Sequence, residues 1–89
     1  MVLTLYSRPG CHLCDEMKAV VARVATAVPL ALEEIDISTD PALEARYGLE
    51  IPVLLVDGKK AAKYRVTEDE LRRILIARAG RAGGAGRAG

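Results

Sequence analysis

Val2-Leu3-Thr4-Leu5-Tyr6-Ser7-Arg8-Pro9-Gly10-Cys11-His12-Leu13-Cys14 changes its pattern part-way along, and that change decides how the chain folds. Val2 to Tyr6 alternates and is rich in residues that suit a pleated strand. Ser7-Arg8-Pro9-Gly10 is a cluster of turn residues. From Cys11 or His12 a helical period takes over, with Leu13, Met17, Val20, Val21, Val24 and Val28 recurring at i, i+4, i+7, i+8, i+11 and i+15. Asp15 and Glu16 lie near the first turn, where the helix dipole favours negative charge. Lys18 and Arg23 fall on the solvent side, and Pro29 closes the element. A strand therefore delivers the chain, through a tight loop, to a helix that opens on a Cys-x-x-Cys pair.

Further along, Leu30 to Ile37 reads as a second strand, with a bulge or shifted boundary expected where the alternation slips at Glu33-Glu34. Asp40-Pro41 is a strong helix start, an acceptor at the N-cap followed by proline. That short helix runs Pro41 to Tyr47 and is stopped by Gly48, expected in the left-handed C-cap conformation. Pro52 to Val56 is a continuous apolar run, as in a strand covered on both faces. Asp57-Gly58 signals a two-residue hairpin, with Lys59 to Val66 as the returning strand. Thr67-Glu68-Asp69-Glu70 matches a capping box, and the last helix turns Leu71, Ile74, Leu75 and Ala79 inward. The order is β-α-β-α-β-β-α. Strand, helix, strand demands a parallel crossover, while the hairpin demands an antiparallel pair. An α/β domain at residues 1–79, with a four-stranded mixed sheet flanked by three helices, satisfies both. Residues 80–89 are Gly, Ala and Arg, and Gly weakens a helix by about 1 kcal/mol relative to Ala. They are expected to form a flexible tail.

Composition narrows the function. The chain has 89 residues, enough for one domain, and a formal charge of +1. A nucleic-acid-binding domain would show a basic excess, so no nucleic-acid partner is expected. No apolar run approaches the roughly 20 residues that span a bilayer, so no membrane association is expected. The first residues carry neither a basic segment nor a cleavage site, which makes a cytoplasmic location the expectation. Nothing demands more than a monomer.

The two cysteines are three residues apart. Closing so short a loop restricts the unfolded chain little, so the pair makes a poor structural staple and chemistry explains it better. A thiolate on Cys11, at a helix N-terminus, meets free N–H groups and the positive end of the dipole, which lower its pKa. Cys14 lies one turn on and on the same face, close enough to attack a mixed disulfide on Cys11. Arg8, on the entering loop, is a candidate for further positive charge. His12 adds another when protonated, or points to solvent. Two other readings remain: half of a zinc site, for which no further Cys pair and only His12 are available, or an inert buried pair. No resident metal or cofactor is expected. Pro52 begins its strand, and only about 5–6% of X–Pro bonds are cis, so local sequence favours trans there.

The run Tyr6 to Cys14, with Asp36-Ile37-Ser38-Thr39-Asp40-Pro41, Tyr47-Gly48 and Ile51-Pro52-Val53-Leu54, resembles the glutaredoxin branch of the thioredoxin-fold superfamily. The resemblance covers about residues 1–78 and implies a thiol–disulfide oxidoreductase of thioredoxin-like fold. It implies that Cys11 attacks, that Cys14 resolves, and that Pro52 is cis and faces the dithiol. It further implies that Ile51 offers backbone groups to the substrate peptide or glutathione, and that Arg8 lies near the thiolate and a glutathione carboxylate. Thr67, at the start of the last helix, becomes a candidate contact for the γ-glutamyl end, and His12 a candidate substrate contact. The sequence departs from standard glutaredoxins, with His-Leu for Pro-Tyr between the cysteines. It also lacks the Gly-Gly pair before the last helix and puts the acids Glu68, Asp69 and Glu70 there. It therefore resembles a less characterised glutaredoxin-like group more closely. Expected partners are a disulfide-containing or glutathionylated protein, with glutathione or thioredoxin reductase as electron donor. An iron–sulfur carrier bridged by glutathione as a dimer, and a non-enzymatic binding module, are the alternatives.

Overall fold

The computed structural model describes the backbone of residues 1–88 and the side chains of residues 1–79. Strands β1 (Val2–Ser7), β2 (Ala31–Asp36), β3 (Val53–Val56) and β4 (Lys59–Lys63) form one sheet in the order β2-β1-β3-β4. β1 runs parallel to β2 and antiparallel to β3, and β3 runs antiparallel to β4. Helices α1 (His12–Ala25), α2 (Pro41–Tyr47) and α3 (Glu68–Ala88) complete the expected β-α-β-α-β-β-α order.

Period-2 alternation in the two central strands divides the interior into two layers. Leu3 and Leu5 of β1, with Leu54 and Val56 of β3, meet Met17, Val21 and Val24 of α1 and Leu71 and Leu75 of α3. On the other face, Tyr6, Val53 and Leu55 meet Ile37, Leu43 and Tyr47 around α2. The second layer has few large residues, so the stacked rings of Tyr6 and Tyr47, 4.5 Å between centroids, fill much of it. Val53, Leu54 and Val56 are fully buried, as the apolar run requires of a strand covered on both faces.

The hairpin turn places Asp57 and Gly58 at φ 48° and 86°, the two positive values of a type I′ turn. Asp57 also accepts from the Val2 N–H at 2.9 Å, fastening the hairpin to the start of β1.

Several boundaries move. β2 ends at Asp36, and Ile37 enters a single 3₁₀ turn, Ile37–Thr39, where its side chain is fully buried. β2 pairs with β1 residue for residue from Val2↔Ala31 to Ser7↔Asp36, so Glu33-Glu34 needs no bulge. An edge strand tolerates two successive exposed acids. The irregularity falls instead between Leu54 and Leu55, which pair with Ala62 and Lys60 and skip Ala61. α1 stops at Ala25, and Val28 packs against the core from the turn that follows. β4 stops at Lys63 rather than Val66, because Tyr64 turns away at φ 67°. Ala79 is exposed, not inward. The α3 backbone is helical through Ala88, past the end expected near Gly80. The tail expected at 80–89 falls on residues whose side chains lie outside the described ones.

Gly48 is right-handed, φ −54°, not left-handed as expected of it. Its lack of a side chain serves a close approach instead: a Cβ would sit 3.2 Å from the Arg8 guanidinium and 2.5 Å from the Glu44 carbonyl oxygen.

The capping box forms as the sequence requires. The Glu70 N–H donates to Thr67 Oγ1 at 3.1 Å, and the Thr67 N–H donates to Glu70 Oε1 at 2.9 Å. The Thr67 backbone N–H, then its hydroxyl, holds the Glu70 carboxyl below the usual carboxylate range. Thr67→Ala is predicted to cost about 1 kcal/mol, read as a fall in Tm of about 4–8 °C. Because folding lowers the Glu70 pKa, its carboxylate contributes stability above its unfolded pKa and loses that contribution as pH falls through the folded one. The stability gap between wild type and Glu70→Gln, measured by denaturant titration, should therefore be open at pH 7 and close on acidification.

Candidate active site

β1 ends in the sheet interior and α1 must begin beside it. The residues between, Arg8-Pro9-Gly10-Cys11, make a turn closed by the Cys11 N–H donating to the Arg8 carbonyl at 3.3 Å. Proline at the second position and glycine at the third, at φ 79°, are the requirements of a type II turn. The turn leaves Cys11 as the N-cap of α1, with extended φ −85° and ψ 108°. Its sulfur occupies the place of a capping oxygen and accepts the Cys14 N–H at 3.1 Å. Helix-end N–H groups of this kind favour the thiolate over the thiol.

Cys11 and Cys14 are joined in a disulfide, with Cα atoms 5.2 Å apart. The two sulfurs are not equivalent. Cys11 is half-buried, while Cys14, in the first turn of α1, is only 2% exposed. Cys11 is the more accessible of the two.

Residues 2–76 match the glutaredoxin-like domain family (DUF836). The chain belongs to that family. It is 31% identical over 75 residues to a glutaredoxin-like protein, the YDR286C homolog of Dictyostelium discoideum, covering 78% of this chain and 69% of the relative. Among solved structures, target protein XcR50 from X. campestris is 39% identical with a TM-score of 0.73, over 84% of this chain and 96% of that one. A mutant thioredoxin from Halobacterium salinarum is 29% identical with a TM-score of 0.55, over 82% of this chain and 69% of that one. The fold is thioredoxin-like, and a glutaredoxin-like domain with an adjacent cysteine pair supports a redox role.

This glutaredoxin-like domain distributes the other candidate residues unevenly. Ile51–Pro52 is cis, as the family resemblance implies and local sequence alone does not. Pro52 is buried and its carbonyl accepts the Tyr64 N–H at 2.9 Å. Ile51 is half-buried against the α2 layer. His12 takes the solvent option: its ring is 87% exposed and stands 3.4 Å from Glu16, one turn on. Thr67 is occupied in capping α3, yet it also lines a groove that contains Leu13. Among the described residues, no group of three or more His, Cys, Asp or Glu side chains gathers to hold a metal.

Arg8, at the head of the turn that ends at Cys11, is held toward α2. Its guanidinium pairs with Glu44 of α2 and donates to the Gly48 carbonyl at 3.3 Å. Its field also reaches Asp36, whose carboxyl is held low mainly by the Ser38 hydroxyl and N–H. The Arg8 charge is thus shared with acidic neighbours. Glu44, one of them, carries no sequence signal, because nothing local to α2 says that it will meet the first loop. Tyr64 is equally hidden inside an apparent strand.

Replacing Glu44 by Gln removes that competing carboxylate while the turn itself remains. A half-exposed ion pair contributes at most about 1 kcal/mol, so the fold should persist. The pH midpoint for iodoacetamide alkylation of Cys11 in reduced Glu44→Gln is predicted to move down, by up to about one pH unit. An unmoved midpoint would mean that Arg8 does not act on the thiolate even when released.

Proposed function

We propose that this protein is a thiol–disulfide oxidoreductase in which Cys11 attacks and Cys14 resolves. One observation carries the reading: the half-buried Cys11 sulfur caps α1 and accepts the Cys14 N–H at 3.1 Å, while Cys14 is buried behind it. In the reduced protein the Cys11 thiolate attacks one sulfur of a substrate disulfide. A Cys11–substrate disulfide forms, and the second substrate sulfur leaves as a thiolate and takes up a proton. Cys14 then loses its proton and attacks the Cys11 sulfur. The remaining substrate thiolate leaves, and the internal disulfide seen here is regenerated. Two electrons from an external thiol donor restore the dithiol. Glutathione and thioredoxin reductase are the two donor classes, and a disulfide-bearing or glutathionylated protein is the substrate.

The proposal orders the two cysteines, so their variants must differ. Cys11→Ser should lose disulfide reduction by at least about 10³-fold, since it removes the attacking atom. Cys14→Ser should still attack but cannot resolve, so a stable mixed disulfide on Cys11 should accumulate and be visible by intact-mass measurement. Activity that survives Cys11→Ser would refute the assignment. Turnover with glutathione and glutathione reductase, compared with thioredoxin reductase, identifies the donor.

A further inference from the structure

The turn that carries Cys11 limits where its first residue can reach. The first and fourth Cα atoms of such a turn lie within about 7 Å, so the Arg8 and Cys11 backbones are that close. From there the Arg8 side chain runs to α2, where Nη2 is shared between the Glu44 carboxylate and the Gly48 carbonyl, the latter at 3.3 Å. α2 leads in turn through Leu49, Glu50 and Ile51 to the cis bond at Pro52. The ion pair therefore bridges the turn that holds the attacking sulfur and the segment that ends at Pro52. It is open to solvent, with the Arg8 and Glu44 side chains 37% and 42% exposed. A charged group carried in by a substrate meets the fields of both.

The other charges around the turn already have partners, and carboxylates outnumber cations. The cavity beside the turn is lined by Asp15, Glu34 and Asp36 as well as by Arg8 and Lys18. Lys18 is bound to Glu34 at 3.2 Å, and Asp36 accepts from the Ser38 hydroxyl and N–H. On α2, Arg46 lies over the Tyr47 ring, 5.2 Å from its centroid. His12 stands beside Glu16. Beyond Pro52, Lys60 and Lys63 share Glu50, and Lys63 also lies over the Tyr64 ring. Asp15, Glu34, Asp36 and Glu44 thus stand against Arg8 and Lys18, and Arg8 is the cation that the turn itself carries. A free guanidinium there would be the group best shaped to receive an incoming carboxylate. With Glu44 in place, that carboxylate must compete with one already held on the same chain.

We propose that Glu44 sets the charge preference of the exchange reaction. It makes the site disfavour disulfides that carry a carboxylate beside the reacting sulfur, and favour those that carry a cation there. Glu44 is a specificity-determining residue for the reaction proposed above, on which this selectivity rests: it acts on the substrate's charge and not on the bond exchanged. Protein disulfides flanked by Lys or Arg fall in the favoured class. Glutathione, which brings two carboxylates and one ammonium group, falls in the disfavoured one. Because the pair is half-exposed, water and salt screen its field, and the preference is a matter of several-fold.

Cystamine and 3,3′-dithiodipropionate test this, being small disulfides whose reacting halves are cationic and anionic. Each is added to the pre-reduced full chain at low salt. The reaction is stopped with N-ethylmaleimide in denaturant, and the labelled thiols are counted by mass. The preference is the ratio of the two second-order rate constants, cystamine over dithiodipropionate. Both constants share one thiolate, so a change in the Cys11 pKa cancels in the ratio. Glu44→Gln should lower the preference by about five-fold, the Coulomb effect in water of one charge about 8 Å from substrates that differ by two. In 1 M salt, where the Debye length is about 3 Å, the wild-type and Glu44→Gln preferences should converge. Arg8→Gln, which leaves Glu44 unpaired, should raise the preference above that of the wild type. Glu33→Gln makes the same change in net charge three residues back along β2 from Asp36, and should leave the preference where it is. A preference unmoved in Glu44→Gln, or moved equally by Glu33→Gln, would overturn the role of Glu44 and leave the exchange reaction standing. No oxidation of the wild type by either disulfide would overturn both.

Discussion

A single turn, Arg8 to Cys11, carries the chain from the sheet into α1, and the chemistry depends on how little freedom it has. On its entry side, β1 is paired on both edges, with β2 and with β3. The last strand residue, Ser7, is buried and its hydroxyl donates to Glu34 at 3.0 Å. On the exit side, α1 is committed to the core through Met17, Val21 and Val24. Proline and glycine in the turn fix the path between these anchors. The Arg8 side chain adds a third anchor on α2 through Glu44 and Gly48. A sulfur placed by such a turn is preorganised: the helix-end N–H points at it without a further ordering cost.

The same anchoring explains why so much of the fold was legible. Strands β1 and β3, the crossover, the hairpin and the capping box are set by local pattern and turn chemistry, and the structure realises each of them. α2 falls on Pro41–Tyr47 as Asp40-Pro41 and Gly48 indicate. What local pattern could not supply is where a segment meets another distant in sequence. Gly48 reads as a left-handed cap because glycine after a short helix usually serves that purpose. Here its value lies in letting Arg8 approach from 40 residues away. Tyr64 continues an apparent strand in sequence, and only the Pro52 carbonyl and the Leu49 carbonyl turn it out. Ile51–Pro52 is the converse case, in which family pattern reached a bond geometry that local propensity opposes.

The cysteine pair itself was legible as a candidate for redox chemistry, whereas its electrostatic setting was not. Counting bases near Cys11 in sequence gives Arg8 and His12. In space, Arg8 is compensated by Glu44, and the His12 ring stands in solvent beside Glu16. What touches the Cys11 sulfur directly is backbone, the Cys14 N–H at the end of α1. Backbone dipoles do not titrate and are not displaced by an incoming carboxylate.

Before Pro52, the exposed apolar residue Leu49 is not carried on loose chain. The segment before Pro52 is held by the Glu50 N–H on the Tyr47 carbonyl at 2.8 Å, and by the Glu50 carboxylate between Lys60 at 2.8 Å and Lys63 at 3.7 Å. Those lysines, Lys60 first, keep the Glu50 carboxyl below its usual range, so the clamp stays charged at neutral pH. Tyr64 grips the same segment from the other side through the Leu49 carbonyl. Leu49 is thus 94% exposed on a segment whose backbone is fixed at several points. Ordering a mobile loop on binding costs free energy that a fixed loop does not. Leu13, Leu49 and Tyr64 all keep apolar surface toward solvent on elements that are already ordered.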